Sequence, residues 1–183
     1  MNKIKVAYWL LCQEYQRYLV SFINCIPGYF GISARRHFYK RRLLKCGLNL
    51  HVESGIIIQK LNNCDVGDNV ILAEGCYLNS SGKLSIGSNV FIGFGTKIWT
   101  DNHLYQDSQK PFTEQGFEYK PVKVEDDVYI GAKCFIKPGV TVGKGSVLKD
   151  GTVLAKSVPP FAIVQGNPGI IVGWRNAPPA RKE

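Results

Sequence analysis

From Val66 the chain counts in sixes. The blocks VGDNVI and LAEGCY come first, an insertion of two residues falls near NSSGKLS, and the count resumes with IGSNVF and IGFGTK. After Ile98 it fails, and from Val124 it returns as VEDDVY, IGAKCF, IKPGVT, VGKGSV, LKDGTV and LAKSVP. The first residue of every block is Val, Leu or Ile, the second is often Gly, and the fifth is Val, Cys, Thr or Ser. Six residues hold one short strand and one turn. Three such units make a triangular coil, and coils stack in parallel at about 4.8 Å. The first residue then points into the prism. The fifth faces a narrow interior and has to be small or β-branched, while glycines serve turn geometry with φ > 0. The pattern predicts a mainly β solenoid, a parallel β-helix of hexapeptide repeats.

The six cysteines (12, 25, 46, 64, 76 and 134) form no C-x-x-C pair and no zinc-type spacing. Cys76 and Cys134 fall on the fifth, inward position, where they pack as small core residues. Free thiols are expected, not a disulfide framework.

The break is as informative as the repeat. Ile86, Ile92 and Ile98 are in register, but the next in-register residue, Val124, lies 26 positions on, which is not a multiple of six. Residues 99–123 therefore leave the coil and return. They are polar and aperiodic, and a loop this long in a compact solenoid is uncommon unless it works. The loop holds His103, the only histidine after residue 51. Histidine offers a base near neutral pH, although a solvated loop histidine would look the same. Asp101, Asp107, Glu114 and Glu118 are carboxylates in the same loop that could orient it.

Charge divides the chain near Gly47. Of the net +9, residues 1–47 carry nine Lys or Arg against the single acid Glu14. Apolar residues there follow helical spacing. One helix is predicted to end at Pro27-Gly28. A second, SARRHFYKRRLLKCG, is predicted to start from Ser33 as N-cap and end at Cys46-Gly47. Two readings of this basic, aromatic-rich segment stand. It suits an anionic membrane surface or a lipid-linked diphosphate, and it suits a cap over the open end of the solenoid. The uncharged stretch Tyr18 to Ala34 is interrupted by Pro27 and Gly28, against a membrane span, and no signal peptide is evident. No nucleic-acid-binding module is recognisable.

The hexads, with GFEYKP, IGAKCFIKPGVTVGKGSVL and KSVPPFAIVQGNP, resemble the hexapeptide-repeat acyltransferases over roughly residues 60–173. The resemblance is to the maltose/galactoside O-acetyltransferases and to sugar O-acetyltransferases of surface-polysaccharide pathways. It implies a left-handed β-helix over residues 48–173 with a catalytic loop at 99–123, an N-terminal helical segment at 1–47 and a tail at 174–183. It implies transfer from acetyl-CoA to a sugar hydroxyl, without a metal, in a homotrimer that holds CoA between subunits. His103 matches the family's catalytic base and Glu118, in GFEYKP, the residue that orients it. The family usually has Pro after this histidine, where the chain has Leu104. Ala132, Asp150, Gly151, Ala155 and Lys156 match CoA-contacting positions, with Tyr129 and Trp174 as aromatic neighbours. Arg175 stands in for the Arg that relatives often carry after GNP. On the acceptor side the candidates are Asn79, Ser81 and Asn102, although the NSSG stretch also reads as an ordinary turn.

The implied protein is cytoplasmic, with a peripheral seat on the inner face of the plasma membrane as one option for the N-terminal segment. Its acceptor is a sugar or glycan, with lipid-linked glycans included. The alternative is a small soluble acceptor, an antibiotic or the amino group of an amino sugar. A β-helix carbonic anhydrase needs three histidines at subunit interfaces, and the repeat region beyond residue 60 has only His103. A non-catalytic scaffold would be indifferent to loss of His103.

Overall fold

Every first and every fifth hexad residue is buried in the computed structural model, which describes Tyr15 and residues 18–175. Three parallel walls result. The first holds Lys45–Cys46, Cys64–Val66, Leu84–Ile86, Val122–Val124 and Thr141–Val142. The second holds His51–Val52, Ile71–Leu72, Phe91–Ile92, Tyr129–Ile130, Val147–Leu148 and Ala162–Gln165. The third holds Ile57–Gln59, Tyr77–Asn79, Lys97–Ile98, Phe135–Ile136 and Val153–Leu154. Strand Ile170–Trp174 then folds back antiparallel on Ala162–Gln165. It crosses the expected boundary at residue 173.

The coil starts earlier than the count of sixes reveals. Cys46 pairs with Val66 and Val66 with Ile86, each 20 residues on, whereas Val124 pairs with Val142 after 18. The first two coils carry two extra residues at their third corner, between the third wall and the first. There Leu61–Asn63 forms a 3-10 turn and Ser80–Lys83 a second turn. Those insertions hide the period, so the boundary expected at Gly47 falls inside the first coil.

Glycine has two separate jobs in the hexad. The left-handed backbone sits at the fourth position, in Asn69, Asn89, Asp127 and Gly145 on one corner and Gly75, Gly95 and Gly151 on the next. The second-position glycines do not take positive φ. They let corners stack: a Cβ on Gly87 would meet Asp126 Oδ1 at 2.4 Å, and one on Gly93 would meet the Gly131 carbonyl carbon at 2.5 Å.

Two helices, α1 (residues 18–25) and α2 (Gly28–Lys40), lead into the first coil. The second helix differs from its expected bounds. Pro27 is its N-cap, Gly28 turns the chain with φ 63°, and Ser33 lies inside it. It ends at Lys40, and Cys46 is in a strand. Its buried stripe is Gly31, Arg35, Phe38 and Tyr39, an i, i+4, i+7, i+8 pattern. Arg35, grouped with the basic surface by sequence, is 1 % exposed. Its guanidinium donates to the carbonyls of Val52 (2.9 Å), Ile23 (2.9 Å) and Ile26 (3.0 Å). Gly31 makes room for this, since a Cβ there would meet Arg35 Nη1 at 2.7 Å. The Tyr39 hydroxyl donates to Ile56 O at 2.9 Å, and burial pushes its pKa well above the usual tyrosine value. Buried charge-assisted hydrogen bonds of this kind hold the helices rigidly on the coil.

Candidate active site

The excursion at residues 99–123 is a hairpin. Asp101–His103 pairs antiparallel with Phe117–Tyr119, and a 3-10 turn at Phe112–Glu114 lies in its tip. Gln115 ties that tip by donating to the carbonyls of Asp107 (2.9 Å) and Lys110 (2.8 Å). Leu104 extends the ladder, its N–H donating to Gly116 O at 3.1 Å. A proline there has no such donor, so this chain gains a bond next to the histidine.

The root of the hairpin explains the NSSG insertion. Asn79, 4 % exposed, donates from Nδ2 to Asp101 Oδ1 at 2.9 Å and accepts the Ser81 N–H on Oδ1 at 2.9 Å. The Thr100 hydroxyl donates to Asn79 O at 2.8 Å and accepts from Gly82 N at 2.8 Å. A Cβ on Gly82 would meet Thr100 O at 2.3 Å. The turn is therefore a socket for both legs of the hairpin. Asn79 and Ser81 brace it, with the Asn79 side chain occupied at both ends. Beside the socket, Tyr77, Trp99 and Phe135 stack at centroid distances of 5.0 and 5.9 Å.

Strand register decides which loop side chains share a face. His103 lies opposite Phe117, and Glu118 lies opposite Asn102. Because side chains alternate along a strand, His103 and Glu118 sit on opposite faces. The expected pair is not brought together within the chain, and the Glu118 carboxylate instead bonds Lys120 Nζ at 2.9 Å. Aromatic packing holds the imidazole. Its centroid is 4.2 Å from that of Phe117, and Phe112 meets it edge-on at 6.1 Å. The residues that sequence reasoning missed are Phe117, Phe112 and the Asn79–Asp101 link. The alternation in DNH and FEY carried a weak signal of two strands.

The cofactor candidates divide between two corners. Ala132, Asp150 and Gly151 stack on the second corner, where Ala132 N–H donates to Asp150 Oδ1 at 2.7 Å and Gly151 N–H to Ala132 O at 2.8 Å. Ala155 and Lys156 are exposed on the third corner, which also releases the hairpin. Tyr129 is on the second wall, stacked on Phe91 at 5.2 Å. Trp174 is exposed in the terminal antiparallel strand. Arg175 is not with the others. Its Nη1 bonds Asp127 Oδ2 at 3.2 Å and Gly145 O at 3.0 Å on the first corner.

Among the described residues, no cysteine offers a nucleophile at the hairpin. Burial pushes the Cys76 thiol up to about 11 and, with neighbouring Asp65, the Cys64 thiol up to about 12. Cys134 is raised as well, by burial first.

Comparison with known proteins now bears on this geometry. A profile described as the hexapeptide repeat of succinyl-transferase matches residues 121–156. A hexapeptide-repeat-containing acetyltransferase of Vibrio cholerae, solved with acetyl coenzyme A, superposes with a TM-score of 0.77 at 25% identity. The match covers 86% of this chain and 83% of that one. A maltose O-acetyltransferase of Clostridium difficile superposes with a TM-score of 0.72 at 27% identity, covering 90% and 86%. The chain is similar in sequence and in fold to hexapeptide-repeat acetyltransferases. A Saccharomyces cerevisiae protein provisionally named an acetyltransferase is 35% identical over 119 residues, 61% of this chain and 59% of its own length. The chain spans about half the length of the curated relatives it matches. In this chain the coils repeat regularly, and the hairpin with His103 is the departure from the repeat.

Proposed function

We propose that the protein is an acetyl-CoA-dependent O-acetyltransferase acting on a sugar hydroxyl in surface-polysaccharide (O-antigen or capsule) assembly, in the cytoplasm, with His103 as general base. The observation that carries the reading is the solenoid's single long excursion. It is a tied hairpin that holds a histidine on an exposed face. The maltose O-acetyltransferase and acetyl-CoA-bound structures it superposes on support the class of reaction.

In this mechanism His103 takes the proton of the acceptor hydroxyl as its oxygen attacks the thioester carbonyl. It then returns that proton to the departing thiolate, so the proton balance closes on one side chain. Acetyl-CoA supplies the activated acetyl group. Backbone N–H groups hold the charge that develops on the carbonyl oxygen, and holding both substrates together provides much of the acceleration. Direct transfer needs no enzyme nucleophile, consistent with thiols that burial keeps protonated. Phe117 and Phe112 position the imidazole, and Asn102 and Glu118 offer polar contacts on the opposite face of the hairpin.

The second corner fits a pantetheine arm. A Cβ on Gly151 would have nothing within 4 Å, so this backbone is an open shelf. Lys156, on the third corner, suits a CoA phosphate. A homotrimer with CoA between subunits would bring one chain's second corner to another's third, which a single chain keeps apart. The reading is tested by CoA release across sugars, nucleotide sugars and lipid-linked glycans. Release with a glycan supports it, and release only with soluble antibiotics would replace the polysaccharide acceptor.

A further inference from the structure

The helical unit at the start of the coil leaves its largest aromatics in solvent. Tyr18, Tyr29 and Phe30 are 72, 78 and 83 % exposed, the highest values for large hydrophobics among the described residues. Tyr15, Tyr18 and Phe22 have the i, i+3, i+7 spacing of one helix side and are all exposed. Among the described residues, these rings lie outside the core. Ile23, Arg35, Phe38 and Tyr39 already fill the inward faces, and the Arg35 clamp fixes the unit to the first coil.

Charge accompanies the aromatics. Arg36, His37, Lys40, Arg41 and Lys45 are exposed on the same unit, and residues 15–47 contain no acid. A cleft of about 220 Å³ between α2 and the first coil is lined by Tyr29, Ser33, Arg36, Asn49 and His51. Asn49 and His51 already bond Asn69 (3.0 Å) and Glu53 (2.7 Å), and Tyr29, Ser33 and Arg36 are the donors it offers a phosphate. A second copy docked face to face would set these cations against their own kind. An anionic lipid surface neutralises them, and exposed Tyr and Phe are the residues that enter its interfacial zone.

We infer that this unit docks on an anionic membrane and presents the hairpin to a lipid-linked saccharide. The saccharide, though not the docking, rests on the acetyl-transfer reading. Height along the solenoid supports the link. The hairpin leaves after the third coil, so at about 4.8 Å per coil it stands roughly 10–15 Å above the helix-covered end. That is within reach of sugars joined directly to a lipid diphosphate.

The test is flotation of the full chain with phosphatidylcholine vesicles, with and without phosphatidylglycerol. The chain co-floats only when the anionic lipid is present. The triple variants F22S/Y29S/F30S and R36Q/K40Q/R41Q each weaken partitioning by about tenfold or more, and added salt releases the part that depends on the cations. Both variants keep their melting temperature and their CoA release with soluble acceptors, but lose any preference for the same glycan on a lipid anchor. Absence of flotation, equal binding to neutral vesicles, or variants that float like the parent would overturn the docking. So would variants whose main change is a smaller oligomer, since a second copy would then cover the aromatics. Flotation without CoA release from any acceptor would remove the acetyl-transfer reading and the saccharide with it, and leave the docking in place.

Discussion

The third coil and the hairpin that follows it are neighbours in sequence and both are β, but they are stabilised in opposite ways. In the coil Leu84, Ile86, Val90, Ile92, Thr96 and Ile98 are all closed off from water. In the hairpin no residue from Asn102 to Pro121 is buried. The coil commits its side chains to a shared core and leaves only its corners for binding. The hairpin is held by its backbone ladder and by the socket at Asn79, Thr100 and Gly82, so its side chains are free for chemistry. Stability and the proposed catalysis are therefore separable along the chain, and substitutions can break or sharpen that separation.

On stability, the largest effect is expected at the seam between helices and coil. Arg35→Ala leaves three carbonyls without their partner, at a cost of about 3 kcal/mol or more, readable by urea unfolding. Next is the wall. Ile130→Ala opens a cavity in a fully buried ladder position and costs about 2–5 kcal/mol. Overfilling the fifth position with Cys134→Leu costs about 1–3 kcal/mol. At the hairpin, Leu104→Pro removes one backbone bond worth about 1 kcal/mol and leaves the coil intact. A melting curve in which Leu104→Pro matches Ile130→Ala would contradict the division.

Alkaline pH probes the same seam and core. Cys64 and Cys76 are raised from 9.0 to about 12 and about 11, and Tyr39 is raised from 10.0. The folded state holds these protons more tightly than the unfolded chain. Their contribution is full below pH 9 and declines as pH rises through 9 to 12. Each of these groups removes up to about 1.4 kcal/mol per pH unit. Unfolding free energy measured from neutrality to pH 11 is expected to be level at first and then fall. A rise above pH 9 would contradict the burial of these groups.

How much of this was legible beforehand differs between the same two regions. The hexad period, the inward positions, the break after Ile98 and His103 could be read because strict spacing reports a shared core. The first coil could not, because two extra residues at Leu61–Asn63 put it out of register with the hexads that follow. Second-position glycines look like turn residues until the next corner is stacked on them. Arg35 looked like one more surface cation because burial of an arginine depends on carbonyls from two other segments, Ile23 with Ile26 and Val52. The placement of Glu118 opposite Asn102 depends on hairpin register, which a loop with a tied tip sets and spacing does not reveal. Glu118→Gln is accordingly expected to cost less than about tenfold in rate, the range of a peripheral polar contact and not of a catalytic proton transfer.

The most direct test is acetyl-CoA turnover by the parent and His103→Ala proteins with the same glycan acceptor. The histidine is exposed and the hairpin carries no core, so the variant should keep its melting temperature while CoA release falls by roughly a hundred- to ten-thousandfold. Undiminished release by a folded His103→Ala protein would contradict the assignment of the hairpin as the site of chemistry.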